Sequence, residues 1–283
     1  MSAATGGPGG LPKGLPDGMP APRSQFEQTM EGLRVQGRVI HALLLRELQT
    51  RFGRGHLGFL WLFLEPLILA TVIGGLKSLI GRGGMGNVPP FLFVVVGYAP
   101  YFAFRAIINR STTAFQANMT LMYHRQVRLL DIMLARNLLE MGAVTCVLII
   151  VLAGTSWITG FAPHDLPTMV FALLLLFAFA NGLALLVAAG CARWEVLDRI
   201  VHPLTYISLP FSGALFALHY MPRQWREALL WNPQANIHEM LRDGMFGDQI
   251  PAYYDVYYVL AWVVIVNLLG IAAVRAVRAR LEF

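Results

Sequence analysis

The sequence predicts an all-α integral membrane protein with six transmembrane helices and an amphipathic helix at the N-terminal interface. Three observations predict it. Of 283 residues, 56% are hydrophobic and only 13% charged, where a soluble domain carries about 25% charge. Six apolar runs are long enough to cross ~30 Å of hydrocarbon at about 20 helical residues each. Lys and Arg segregate strongly between alternate connecting segments, as the positive-inside rule requires.

Residues 1–24 have no apolar core and hold six Gly and five Pro. They read as a disordered tail with no secretory signal. Residues 25–57 follow as a cytoplasmic interface helix. Phe26, Met30, Leu33, Ile40, Leu44 and Leu48 recur at near-helical spacing, with Arg34, Arg38, Arg46 and Glu47 elsewhere on the wheel. This predicts a helix lying in the inner membrane surface, the alternative being a soluble helix packed on a partner. The six-span membrane body is residues 58–283. Its predicted spans are Gly58–Ile80, Phe91–Asn109, Leu138–Gly160, Thr168–Gly190, Val201–His219 and Val256–Val274.

With both termini cytoplasmic, the inner segments carry sixteen Lys and Arg and the outer loops four, Arg82, Arg223, Arg226 and Arg242. The formal charge of +6 thus follows from topology on an anionic inner leaflet, and nucleic-acid binding is not needed to explain it. Two further segments are predicted not to span. Asn118–Arg136 reads as a cytoplasmic helix that mixes exposed Leu121, Met122 and Tyr123 with Arg125 and Arg128, a surface suited to docking another protein. The alternative packs it on the chain's own spans. Residues 220–255 contain two short helical patterns broken at Asn232-Pro233 and closed by Gly244. They read as a re-entrant pair over a cavity or as plain surface helices.

Glu65 lies six residues past Phe59, about 9 Å into the membrane at ~1.5 Å per residue. Arg105 lies fourteen residues past Phe91, about 21 Å from the opposite face and so roughly 9 Å from the inner one. Opposite charges at one depth on antiparallel neighbours predict a Glu65–Arg105 pair, because an intramembrane charge is costly without a partner. The alternative is that each snorkels separately to the interface. Pro203, Pro210 and Gly213 predict a break in the fifth span. Two cysteines, Cys146 and Cys191, imply neither a disulfide framework nor a metal site. No phosphate-binding G-x-x-x-x-G-K-[ST], no H-E-x-x-H and no G-x-S-x-G is present, so active transport would draw energy from a partner or an ion gradient.

"RFGRGHLGFLWLFLEP" resembles the N-terminal signature of ABC-2-type permeases, carried here by Arg51, Phe52, Leu57, Gly58, Trp61, Glu65 and Pro66. "LLWNPQANIHEMLRDGMF" is similar to that family's outer motif, N-P then E-x-x-R, at Asn232, Pro233, Glu239 and Arg242. Within the family the combination looks closest to the inner-membrane permeases of capsular polysaccharide export in Gram-negative bacteria. The substitution of Gln234 and Asn236 into a stretch that is apolar elsewhere departs from the family pattern. The resemblance implies the ABC-2 permease fold, a homodimer, and two copies of a separate ATPase that binds ATP and Mg, this chain holding no cofactor. It also implies a periplasmic co-polymerase or export partner and a lipid-linked polysaccharide substrate. The conduit is implied at the dimer interface, with Trp61, Phe63, Tyr98, Tyr101, Tyr206, Phe211 and Phe216 as candidate sliding surfaces. Each of these rings is equally readable as core or interfacial belt. Tyr123, His124 and Arg125 would contact the ATPase, with the coupling helix at about 118–136. The gate helices, at about 220–250, would carry Trp225, Trp231, Asn232, Pro233, Glu239 and Arg242. Competing functions are an ABC-2 permease for O-antigen, teichoic acid or a small lipophilic compound, an ATPase-independent transporter, and a membrane-bound transferase.

Overall fold

The computed structural model describes residues 25–52, 64, 67–69, 71–76, 88–118 and 128–281. Among these every regular element is helical. The chain divides into two units, residues 1–38 and 39–283. Helix α1 (Gln25–Phe52) contributes its first part to the smaller unit, where its described side chains are exposed.

Among the described residues, four helices of the larger unit are long and apolar enough to cross a membrane: Pro90–Ser111, Leu129–Ile158, Leu166–Arg193 and Val256–Val277. They belong to α2 (Pro90–Ser111), α3 (Leu129–Thr159), α4 (Leu166–Arg193) and, after shorter helices, α8 (Val256–Leu281). Local chemistry sets their ends. Pro90 opens α2, where a missing N–H costs nothing. Gly160 closes α3 in the left-handed conformation at φ 71°. The Asp165 side chain caps α4 by accepting from the Thr168 N–H and hydroxyl.

Helix α4 is the axle of the fold, packing along α8, α2 and the later helix α7 (Pro233–Phe246). Its contact with α8 is close because both sides are glycine. A Cβ on Gly182 would press on Val266 and Asn267, and one on Gly270 on the Gly182 carbonyl and Leu185. Small residues let helices approach where lipid supplies no hydrophobic drive between them. Beside this seam, Asn137 Nδ2 donates to Asn181 Oδ1 at 2.9 Å, and Asn181 Nδ2 to Asn267 Oδ1 at 3.3 Å. Asn267 Nδ2 then donates to the Ala178 and Val263 carbonyls. The ladder links α3, α4 and α8 through amides that hydrocarbon could not satisfy.

Two predicted boundaries change. The fifth span is no continuous helix over Val201–His219. Helix α5 (Glu195–Ile207) runs through Pro203, tightens to a 3₁₀ turn at Leu209–Phe211 and ends at Gly213, φ 72°. Pro210 lacks the N–H a continuing helix needs, and only glycine enters the left-handed region without strain. The predicted helix Asn118–Arg136 is interrupted at Arg128, whose backbone is extended, and Leu129–Arg136 form the first turns of α3. Most of the predicted first span, Gly58–Ile80, and residues 119–127 lie outside the described residues.

Candidate functional site

At one end of the bundle the chain folds over itself, and the reason is the broken fifth helix. Past Gly213 it descends without regular structure to a 3₁₀ turn at Leu218–Tyr220. It then forms the short helices α6 (Arg223–Leu230) and α7 (Pro233–Phe246). Asn232 separates these two. Its carbonyl side accepts from the Gln234 N–H at 3.0 Å, capping α7, and Pro233 follows at the first helical position. Its amide donates 2.9 Å to the Phe211 carbonyl, tying the cap back to the break.

Helix α7 is buried over nearly its whole length, with Glu239 and Arg242 at 0% and 1% exposure. Glu239 Oε1 accepts from Arg242 Nη1 at 3.1 Å and from the Leu218 N–H at 3.1 Å; Oε2 accepts from the Tyr253 N–H at 3.3 Å. Arg242 Nη2 donates to the carbonyls of Gly213 and Ala214, and its Cζ lies 4.7 Å from the Phe93 ring centre. One ion pair thus satisfies backbone groups on both sides of the irregular descent and on the chain leading to α8. Gly97 of α2 makes room for it, since a Cβ there would overlap the Ala214 carbonyl and crowd Arg242. We call this arrangement the latch. His238, one turn before Arg242, is also in this dry layer. Its Nδ1 sits 2.9 Å from the Gln234 carbonyl, and burial, with a smaller push from Arg242, holds its pKa down to about 4.

Beside the latch is an open groove of about 560 Å³, formed by α6, the Ala252–Asp255 segment and the start of α8. Trp231, Tyr253, Tyr254 and Tyr258 supply its rings, and Glu227 and Asp255 its carboxylates. The three tyrosine rings are held by neighbours. Tyr258 OH donates 2.6 Å to the Trp231 carbonyl and Tyr254 OH donates 2.6 Å to Asp243. Tyr253 lies under Arg226, 4.2 Å from Cζ to ring centre, and stacks on His219. Burial, then the bond to Asp243, pushes the Tyr254 phenol up to about 12. Arg223, 2.6 Å from Glu227, holds that carboxyl below its ordinary range.

The second feature is an unburied apolar face on the fifth helix and its break. Val196, Ile200, Leu204, Tyr206, Ile207 and Phe211 are all exposed. Arg105 of α2 meets this face, its Cζ 4.4 Å from the Tyr206 ring centre and 5.3 Å from that of Phe102. At the far end of the bundle, Arg110 binds the buried Glu140 at 2.6 Å. There the second half of α1 packs on the start of α3. Leu43, with Val39, Ile40 and Leu44 around it, covers Ile132 and Ala135, and Glu47 meets Arg136 at 3.2 Å.

Against the sequence-predicted residues, the structure brings Asn232, Pro233, Glu239 and Arg242 together, and leaves Trp225 and Trp231 exposed at 66% and 80%. Tyr206 and Phe211 are exposed and Phe216 is half-buried. Tyr98 and Tyr101, expected on the conduit wall, are instead buried in the chain's own core. Tyr101 OH donates to the Thr205 carbonyl and pairs with Ser208 Oγ at 3.0 Å, so it fastens α2 to α5. Gly58, Trp61, Phe63, Glu65, Pro66, Tyr123, His124 and Arg125 lie outside the described residues, as do the side chains of Arg51 and Phe52. The prediction of a Glu65–Arg105 pair therefore falls there too. Sequence reasoning missed Gly97, His238 and the asparagine ladder. Polar Asn137, Asn181 and Asn267 in or beside apolar runs were the available signal.

The fold and its motifs define the class, and the chain belongs to the ABC-2 type transporter family, whose model matches residues 38–246. It is similar to the capsule polysaccharide export inner-membrane protein BexB of Haemophilus influenzae, 36% identical over 256 residues covering 89% of this chain and 95% of the relative. It is 34% identical over 248 residues to the capsule polysaccharide export inner-membrane protein CtrC of Neisseria meningitidis serogroup A, covering 87% of this chain and 93% of that one. The polysialic acid transport protein KpsM of Escherichia coli is 31% identical over 252 residues, 86% of this chain and 95% of the relative.

Proposed function

We propose that this chain is the transmembrane subunit of an ATP-driven exporter that moves lipid-linked capsular polysaccharide from the cytoplasm across the inner membrane. The observation that carries the reading is similarity over nearly the full length to relatives named for capsule polysaccharide export. Two copies of the chain pair through the exposed apolar face of the fifth helix, which in isolation would present contiguous apolar surface around Tyr206 and Phe211. The polymer runs between the copies, past rings that offer contact area without fixed hydrogen bonds. Tyr206 and Phe211 are the conduit rings this face favours, with Trp61 and Phe63 completing it. Glu65 supplies the counter-charge for Arg105.

Energy comes from two ATPase subunits, which carry ATP and Mg and press on Tyr123, His124 and Arg125. Both termini are cytoplasmic, α1 lies in the inner interface and frames the entrance, and the first and fifth spans complete six crossings. The latch end is then periplasmic, where α6 and α7 form the gate and meet a co-polymerase or export partner. In this assignment Glu239 and Arg242 are positioning residues that hold the gate's frame, while Trp225 and Trp231 face outward.

The test is where surface polysaccharide accumulates in a host strain deleted for this gene. Polymer trapped in the cytoplasm, released to the surface by the wild-type gene but not by Glu65→Ala, is the expected result. Normal capsule with O-antigen lost moves the substrate to that polymer. Surface delivery of both polymers, with no sister permease present, overturns the reading.

A further inference from the structure

The groove beside the latch has no part in the conduit just described, yet it is built as a site. Its volume of about 560 Å³ falls within the ~300–1,000 Å³ of small-molecule sites. Its tyrosine walls are fixed before any ligand arrives, because the Tyr258 and Tyr254 hydroxyls are tied to the Trp231 backbone carbonyl and to Asp243. Tyr253 is contacted by both Arg226 and His219. Asp255 is fixed by its backbone bond to Asn236 and by accepting the Tyr257 and Tyr258 N–H groups. Glu227 is fixed by Arg223. Preorganised groups lose little entropy on binding.

The chemistry of the walls selects the ligand. Trp231 is 80% exposed, an unusual state for a ring unless it stacks on something or sits in a membrane belt. A belt aromatic needs no concave neighbourhood and no paired carboxylates. Planar rings beside ionised acceptors suit a molecule that is apolar on its faces and covered with hydroxyl donors at its edges, which describes a pyranose. Carboxylates accept such O–H donors in charge-assisted bonds. A helical protein partner would call for an apolar trough without charged walls.

We propose that this groove binds a short saccharide segment of the polymer leaving the gate, with Trp231 and Tyr258 stacking on sugar faces and Glu227 and Asp255 accepting from sugar hydroxyls. The inference rests on the export reading above and adds a second sugar contact outside the conduit. Its effect is to hold the emerging chain, so that the segment does not slip back between ATPase cycles.

The experiment pairs binding with export. Full-length protein in lipid nanodiscs is examined by saturation-transfer NMR with short oligosaccharides cleaved from the host strain's own surface polymer. Wild type should transfer magnetisation to the sugar ring protons. Trp231→Ala and Glu227→Gln should each weaken transfer at least fivefold. Trp157→Ala, which removes an exposed aromatic at the end of α3 outside the groove, should leave it unchanged. In the deletion strain, Trp231→Ala should slow delivery of polymer to the surface without abolishing it. Absence of transfer in wild type, or transfer undiminished in Trp231→Ala, overturns the groove proposal even where wild type restores surface polymer. Failure of wild type to restore polymer overturns the export reading instead.

Discussion

Removing the guanidinium from the latch should be the most damaging single change in the described part of the chain. In Arg242→Met an apolar stem stays in place, but Glu239 keeps a buried charge whose remaining partners among the described residues are the Leu218 and Tyr253 N–H groups. The Gly213 and Ala214 carbonyls lose their donor as well. Breaking a buried ion pair from one side costs about 3–5 kcal/mol. At ~2–4 °C per kcal/mol for a chain of this size class, the melting temperature should fall by on the order of 10 °C. Glu239→Gln should cost less, because the amide keeps an acceptor for Leu218, yet it strands the guanidinium charge. The double variant Glu239→Gln/Arg242→Met removes both charges and should be more stable than Arg242→Met alone. Thermal unfolding in one detergent, followed by intrinsic fluorescence and by size-exclusion recovery, measures all four proteins. A melting temperature for Arg242→Met within about 2 °C of wild type, or a double variant showing simple additivity, would refute the argument that this pair holds the frame.

Other consequences follow from the same geometry. Gly97→Ala places a methyl group against the Ala214 carbonyl, and overpacking of this kind costs about 1–3 kcal/mol; an unchanged melting temperature would contradict it. His238 has a folded pKa of about 4 against an ordinary 6.5. As pH falls from 6.5 towards 4, the unfolded chain takes up a proton that the folded chain refuses. Stability present above pH 6.5 is therefore lost across that window, by on the order of 3 kcal/mol, and His238→Phe should flatten this part of the pH–stability curve. Asn181→Leu leaves Asn137 and Asn267 without their shared partner and should cost roughly 0.6–1.7 kcal/mol, read from unfolding in mixed micelles.

Much of the scaffold was legible because its signals are local. Four long apolar runs became four long apolar helices, since a stretch of about 20 such residues has only one way to satisfy its backbone in hydrocarbon. The 220–255 stretch was readable as two short helices broken at Asn232-Pro233, because capping needs only neighbouring residues. Pro210 and Gly213 announced the break in the fifth span for the same reason. The candidate site was less legible. Glu239 and Arg242, three residues apart, were visible as a motif, but their partners at Leu218, Tyr253, Gly213 and Ala214 are backbone groups that leave no trace in side-chain identity. Tyr98 and Tyr101 carry the same rings as the exposed Tyr206, and periodicity alone assigns none of them a face.

By itself, the sequence determined the membrane class, the positions of the long helices, the points where helices start and stop, and the transporter family. Those properties depend on hydrophobic length, on the N–H that proline lacks and on the backbone region that glycine alone enters freely. The tertiary structure decided which rings are core and which are surface, why Gly97 is glycine, and how one buried ion pair closes an irregular segment. These are questions of proximity between residues far apart in the chain, settled by which groups find partners when water is excluded.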